Sequence, residues 1–244
     1  MLLYHGTTET QLNQIRLTGL RPRGKRKSNY TEYPSRKDMV YLTNAYPFYY
    51  ALNTSDEEPD IAAVLEIDTD HLTPANFYPD EDFITQAMKD VQDEDFHKTH
   101  DRVRDGLLAY QQHRQLSLER IGNCCYRGTI PLDAITRVCY FDSDKRTTLM
   151  MVCLDPTISI MNYSVCREKY QSLVSWMFGD SPTFTTVSEW ETSLLDDPDT
   201  DPRLRDSIKH QVEHCMEYWA KESQDRTGIT VESWNAVSRN TKAS

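Results

Sequence analysis

The chain has 244 residues, 38% of them hydrophobic, and a formal net charge of −11. Such a length and apolar content suit one large domain, or one domain with an appendage, around a real core. The acidic balance argues against a general nucleic-acid binder. No apolar run approaches the roughly 18 residues of a membrane span, so no membrane association is expected.

No basic segment precedes an apolar stretch of signal length, so no secretion signal is expected. The six cysteines are Cys124, Cys125, Cys139, Cys153, Cys166 and Cys215. Several sit inside apolar runs and no C-x-x-C occurs, which points to buried thiols, no zinc site and a reducing cytoplasm.

In chain order, Leu2-Leu3-Tyr4 is too short for a helix, closes at Gly6 and reads as a buried strand. Gly6 lets a backbone come close to a ligand. Glu9 to Leu17, apolar at Leu12, Ile15 and Leu17, suits a short helix closed by Gly19. Residues 21–36 hold Pro22, Gly24, Ser28, Asn29, Pro34 and Ser35 and form a loop. Residues 16–37 carry Arg16, Arg21, Arg23, Lys25, Arg26, Lys27, Arg36 and Lys37 against Glu32 alone, a local +7, whereas residues 56–105 hold 16 acids against 4 bases. The basic stretch is either a solvated loop or a clamp for phosphates, of a dinucleotide or of a nucleic acid.

Val40 to Leu42 is a second short strand. Thr43 or Asn44 caps a helix running to about Asn53. Its aromatics Tyr46, Phe48, Tyr49 and Tyr50 are expected mostly in the core, with one or two facing a ligand. Ile61 to Ile67 has a nearly continuous apolar face and reads as a central strand. Pro79-Asp80-Glu81-Asp82 opens a helical region from Phe83 to about Gln115, with Phe83, Ala87 and Val91, then Val103, Leu107 and Tyr110, at helical spacing. His97 and His100 fall there at i, i+3. No Cys or carboxylate pattern completes a metal site around them, so a solvated helix face is expected.

Cys124 to Tyr126 and Thr136 to Phe141 read as strands, and Leu149 to Leu154 as a further one. Residues 158–178 suit a strand followed by a helix with Tyr170, Leu173, Val174 and Met177 on one face. Residues 189–206, with seven acids against Arg203 and Arg205, form a loop. Ser207 to Glu222 is a helix with Ile208, Val212, Cys215, Met216 and Trp219 as its stripe. The last residues, Arg239 to Ser244, are expected to fray.

Tyr4-His5-Gly6-Thr7, the strand Tyr41-Leu42-Thr43 and a helix bearing Tyr50-Ala51 together resemble the ADP-ribosyltransferases of the diphtheria-toxin and PARP-like branch. That branch is named for a His, a Tyr and a Glu on three separated strands. The resemblance covers roughly residues 1–142. It implies an α+β fold, a split antiparallel sheet holding NAD in its cleft, with a long helical insertion and a helical C-terminal extension. Residues 1–155 would be the catalytic domain and 156–244 the extension packed on it.

The resemblance implies further roles. NAD is the co-substrate. His5 contacts the ribose, supported by Gly6 and Thr7; Tyr41, Thr43 and Tyr50 form the nicotinamide pocket. The loop with Arg23 lies over the dinucleotide. The usual spacing of the third motif falls near Asn123, which is not a carboxylate; Glu119, four residues earlier, is the nearest acid and takes the catalytic role, with Glu66 and the Asp80-Glu81-Asp82 run behind it. Cleavage of the nicotinamide–ribose bond develops positive charge on the ribose, which a carboxylate stabilises. The acceptor would be RNA or DNA, as in toxins of bacterial defence and toxin–antitoxin systems, with an antitoxin or inhibitor protein as a further partner. Alternatives are a protein acceptor, a catalytically degenerate binding module, and an RNA 2′-phosphotransferase. No G-x-G-x-x-G, P-loop, G-x-S-x-G or H-E-x-x-H motif occurs.

Overall fold

The computed structural model describes residues 1–28, 33–55, 61–92, 96–142, 171, 174–180, 202 and 226–234. The strand expected at Leu149 to Leu154, the acidic loop at 189–206 (Pro202 apart) and the helix at Ser207 to Glu222 lie outside them.

Seven strands form one open, wholly antiparallel sheet. They are β1 (Leu2–Thr8), β2 (Met39–Thr43), β3 (Ala62–Asp68), β4 (Phe77–Pro79), β5 (Asn123–Arg127), β6 (Ile135–Phe141) and β7 (Ile229–Ser233). Their order is β4-β5-β2-β1-β3-β6-β7. The α+β class is therefore as expected, and β3, bonded on both sides and buried from Ala62 to Ile67, is the central strand its apolar run implied.

The sheet is unevenly joined. All 7 residues of β1 pair with β3, and all 5 of β2 pair with β5. Between β1 and β2 the ladder reduces to Tyr4↔Thr43. Two half-sheets, β4-β5-β2 and β1-β3-β6-β7, thus meet at a seam. An apolar core runs beneath both, from Leu3, Ala63 and Val138 on one side to Val40, Leu42 and Cys124 on the other.

Helix α1 (Glu9–Thr18) starts at the Thr8 cap, whose hydroxyl accepts from Gln11 N, and stops at Gly19, φ 75°. Helix α2 (Pro47–Ser55) lies on β1. The long helix expected from Phe83 is divided into α3 (Glu81–Gln92), α4 (Phe96–Gly106), a 3₁₀ stretch (Leu107–His113) and α5 (Arg114–Ile121). His100 is not on a solvated face: it is buried, with Nε2 3.5 Å from Asp82 Oδ1, because α3 and α4 pack on each other. At the far edge β7 supplies a seventh strand from the segment expected to be helical, and Trp234 behind it is 2% exposed in the core.

Candidate active site

The seam places β1, β2 and β5 side by side on its two lips, and three expected site residues follow. His5 is on β1, Tyr41 on β2 and Asn123 opens β5, paired across from Thr43. Where the backbone ladder stops, the His5 ring takes over. Its Nδ1 lies 2.9 Å from the carbonyl oxygen of Tyr41. A carbonyl oxygen only accepts, so Nδ1 carries the proton and Nε2 keeps its lone pair. Burial pushes the ring's pKa below its ordinary value; the Tyr41 bond opposes this and the nearby Arg26 charge adds to it. His5 is therefore a neutral acceptor at neutral pH.

Tyr41 is engaged at both ends. Its ring packs beside the second apolar cluster of Met39, Tyr78, Ile84, Val103, Leu107 and Cys125. Its hydroxyl accepts from Arg36 N at 2.8 Å and donates to Glu81 Oε1 at 2.5 Å. Burial, then the charge of Glu81, pushes the Tyr41 pKa far above its usual range, so the hydroxyl keeps its proton and is the donor.

Glu81 opens α3 and is 3% exposed, with Oε2 buried and unpartnered among the described residues. Burial raises its pKa to about 7, against the lowering effect of the Tyr41 bond. Burial also raises Asp80 and Asp82. Ser117 ties this corner to β5: its hydroxyl donates to Asn123 O at 2.7 Å and accepts from Asp80 N at 3.0 Å.

The Asn123 amide donates to the Tyr50 hydroxyl at 2.8 Å, while its Oδ1 is buried without a partner among the described residues. Tyr50, half-buried at the side of α2, is thus fixed from β5, and Tyr49 meets it edge-on at 5.5 Å.

The remaining expected residues have other employment. Gly6 is approached by a backbone, but by that of α2: a Cβ there would lie 2.3 Å from Ala51 N and 2.5 Å from Pro47 O. Thr43 donates to Gly122 O and accepts from Ala45 N and Tyr46 N, which uses its hydroxyl fully in the turn before α2. Thr7 Oγ1 is buried and unpartnered. Arg23 braces its own loop, donating to Ser35 O, Ser35 Oγ and Arg26 O. Glu119 is not brought to the seam: it is exposed on α5 and accepts from Gln115 one turn away. Glu66 is buried but committed to Arg137 and Thr136.

Within the basic stretch, Arg36 holds Asp38 through two bonds and donates to the α4 carbonyls of Arg104 and Asp105. The Arg36 guanidinium keeps the Asp38 carboxyl below the usual carboxylate range. Arg21, Lys25, Arg26, Lys27 and Lys37 remain exposed. The site therefore combines a neutral His acceptor, an aromatic fixed by an amide, a buried carboxyl behind a tyrosine and a row of solvent-facing cations. The contact of Glu81 with Tyr41 is the part that strand and motif patterns do not reveal; its one signal is the acid run opening α3.

No known family model matches the sequence, and no curated protein sequence matches it either.

Proposed function

We propose that the chain is an ADP-ribosyltransferase, cleaving NAD and transferring ADP-ribose to a macromolecule, with RNA or DNA the favoured acceptor. The observation that carries this is the seam: a His on one lip and a Tyr on the other, in a sheet reduced to one ladder pair between them. A split of this kind is what the His-Tyr resemblance implies for a dinucleotide cleft.

The donors present fit NAD. His5 Nε2 offers an acceptor for a ribose hydroxyl, the unpaired end of the Asn123 amide is a buried polar group awaiting a partner, and Tyr50 beside it offers a flat face for nicotinamide. Arg26, exposed on the basic loop, supplies positive charge for the diphosphate. As nicotinamide leaves, positive charge grows on the ribose, and preorganised dipoles and negative groups stabilise it. On β5 this chain offers the amide of Asn123; the carboxyl joined to the site is that of Glu81, one residue behind through Tyr41. The exposed cations of residues 21–27 favour a phosphate-bearing acceptor on an otherwise acidic protein.

A second reading, a module that binds NAD without turning it over, is favoured by the amide on β5 and by the exposure of Glu119. One experiment separates the two. The purified chain is incubated with NAD and, in separate arms, RNA, single-stranded DNA and protein extract; released nicotinamide and adduct masses are measured, with NAD binding by calorimetry. Adducts on nucleic acid support the proposal, binding without release supports the module, and no binding rejects both.

A further inference from the structure

The Tyr41 hydroxyl joins two parts of the chain, between which the Arg36 N–H also faces the Glu81 carboxyl. On one side is Glu81 at the start of α3. On the other is the backbone N–H of Arg36, in the arm that leads the basic loop back into β2. That loop is closed on itself by Gly24 N to Lys37 O at 3.0 Å and by the Arg23 bonds to Ser35. Its other end carries Arg26, whose carbonyl the Arg23 guanidinium ties to Ser35 O.

We propose that Glu81 is a positioning residue for the cleft: through Tyr41, and alongside the Arg36 bonds to Arg104 O and Asp105 O, it anchors residues 33–38 where the basic loop returns into β2. Glu81 is 3% exposed, accepts from Tyr41 through Oε1 and leaves Oε2 without a partner among the described residues, an arrangement whose desolvation costs the fold. Its use is the bond. An ionised carboxylate accepts more strongly from Tyr41 than a neutral one, and a polarised Tyr41 hydroxyl in turn accepts more strongly from Arg36 N.

The groups facing Glu81 are Tyr41 and the Arg36 backbone from the loop and β2, Cys125 from β5, and Asp80 and Asp82 beside it. His100 of α4 faces Asp82. Burial and these neighbouring acids raise the carboxyl to about 7, so the anchor tightens as pH rises through neutrality. The inference rests on the proposed activity only for what the loop would hold; the anchoring is measured without NAD.

The test uses the full chain and its Glu81→Gln, Tyr41→Phe and double variants. Hydrogen exchange of the Arg36 amide is read as a protection factor from pH 6 to 8. Expected are an Arg36 protection about tenfold lower in Glu81→Gln at pH 8, no further loss in the double variant than in Tyr41→Phe, and a rise across pH 7 in the wild type that Glu81→Gln lacks. Loss of a purely structural bond would lower protection equally at every pH. Unchanged Arg36 protection in Glu81→Gln overturns the proposal, as does additivity of the two single variants. If these linkages appear but the wild type binds no NAD, the proposed activity fails and the anchor stands. If Tyr41→Phe does not fold, Glu81→Gln alone decides through the pH dependence.

Discussion

The carboxyl of Glu81 and the hydroxyl of Tyr41 lie 2.5 Å apart, although 40 residues separate them in the chain. The pair has a consequence for stability as a function of pH. Burial raises the folded pKa of Glu81 from 4.5 to about 7. Between those values the folded chain binds a proton that the unfolded chain has released, so the stabilising contribution is complete below about pH 4.5 and is lost as pH rises through 7. Glu81→Gln keeps the shape and removes the titration. It should match the wild type near pH 5 and exceed it at pH 8 by up to about 3 kcal/mol, read from urea midpoints. Asp80 and Asp82 shift the same way and Asp80 is raised in part by the Glu81 charge, so the difference reads Glu81 together with the Asp80 shift that it causes. Global stability and local anchoring therefore move in opposite directions. A constant difference between the two proteins across pH would contradict the burial of this charge.

His5→Ala removes the side-chain bond across the seam and the acceptor nitrogen. A neutral hydrogen bond of this kind contributes about 1 kcal/mol, so the melting midpoint should fall by a few degrees only. NAD turnover should drop by about tenfold or more, seen as nicotinamide release per unit enzyme. Because the ring's pKa is lowered, activity should persist on acidification past the ordinary imidazole range and fail only where the ring charges. Intact turnover in His5→Ala would remove this residue from the site.

Asn123 and Glu119 can be told apart directly. Asn123→Ala deletes the bond that fixes Tyr50 and should cost about 1–3 kcal/mol together with activity. Glu119→Gln changes an exposed side chain and should stay within about 0.5 kcal/mol with turnover unaltered. Loss of turnover in Glu119→Gln with a normal melt would return the catalytic role to Glu119.

Gly6→Ala should be severe. The new methyl meets backbone atoms of α2, which cannot rotate away, and overpacking of this kind costs about 3 kcal/mol. Displacing α2 also displaces Tyr50, so whatever folds should be inactive. A melt within 2–3 degrees of the wild type, about 1 kcal/mol, would show that α2 can retreat.

Replacing Lys25, Arg26 and Lys27 together with Gln should weaken binding of RNA or single-stranded DNA and flatten its salt dependence. For three lost phosphate contacts the slope of log Kobs against log salt should fall by about 2. An unchanged slope would move the acceptor to protein.

Much of the fold is legible along the chain because its inner strands are short apolar runs between turn residues. β1, β2, β3, β5 and β6 each fall where such a run lies, and α1 spans Glu9–Thr18 between a Thr8 cap and Gly19 as its pattern implies. Two strands have no such signature. β4 is three residues ending in Pro79, and β7 is half-exposed at the edge. The helical region runs as one pattern from Phe83, yet Gly106 ends α4 and a 3₁₀ stretch follows, so periodicity conceals the breaks. Within the site, motif spacing locates His5, Tyr41 and Asn123 on neighbouring strands. It cannot show that Thr43 and Arg23 are consumed by local hydrogen bonds, nor that Glu119 turns outward. Acids at a helix start are ordinary, which hides Glu81 until tertiary packing carries Tyr41 to it.

The seam also determines how the molecule yields. Ladder bonds are directional and resist both shear and separation, whereas apolar contact is non-directional and tolerates small displacement. Among the described residues the two half-sheets share a continuous apolar underside but one ladder pair, with the His5–Tyr41 and Asn123–Tyr50 bonds beside it. A small widening of the slit therefore breaks almost no main-chain bonds and exposes little of the core. Compliance is concentrated along one line, between two stiff plates, and that line is where His5 and Tyr41 stand.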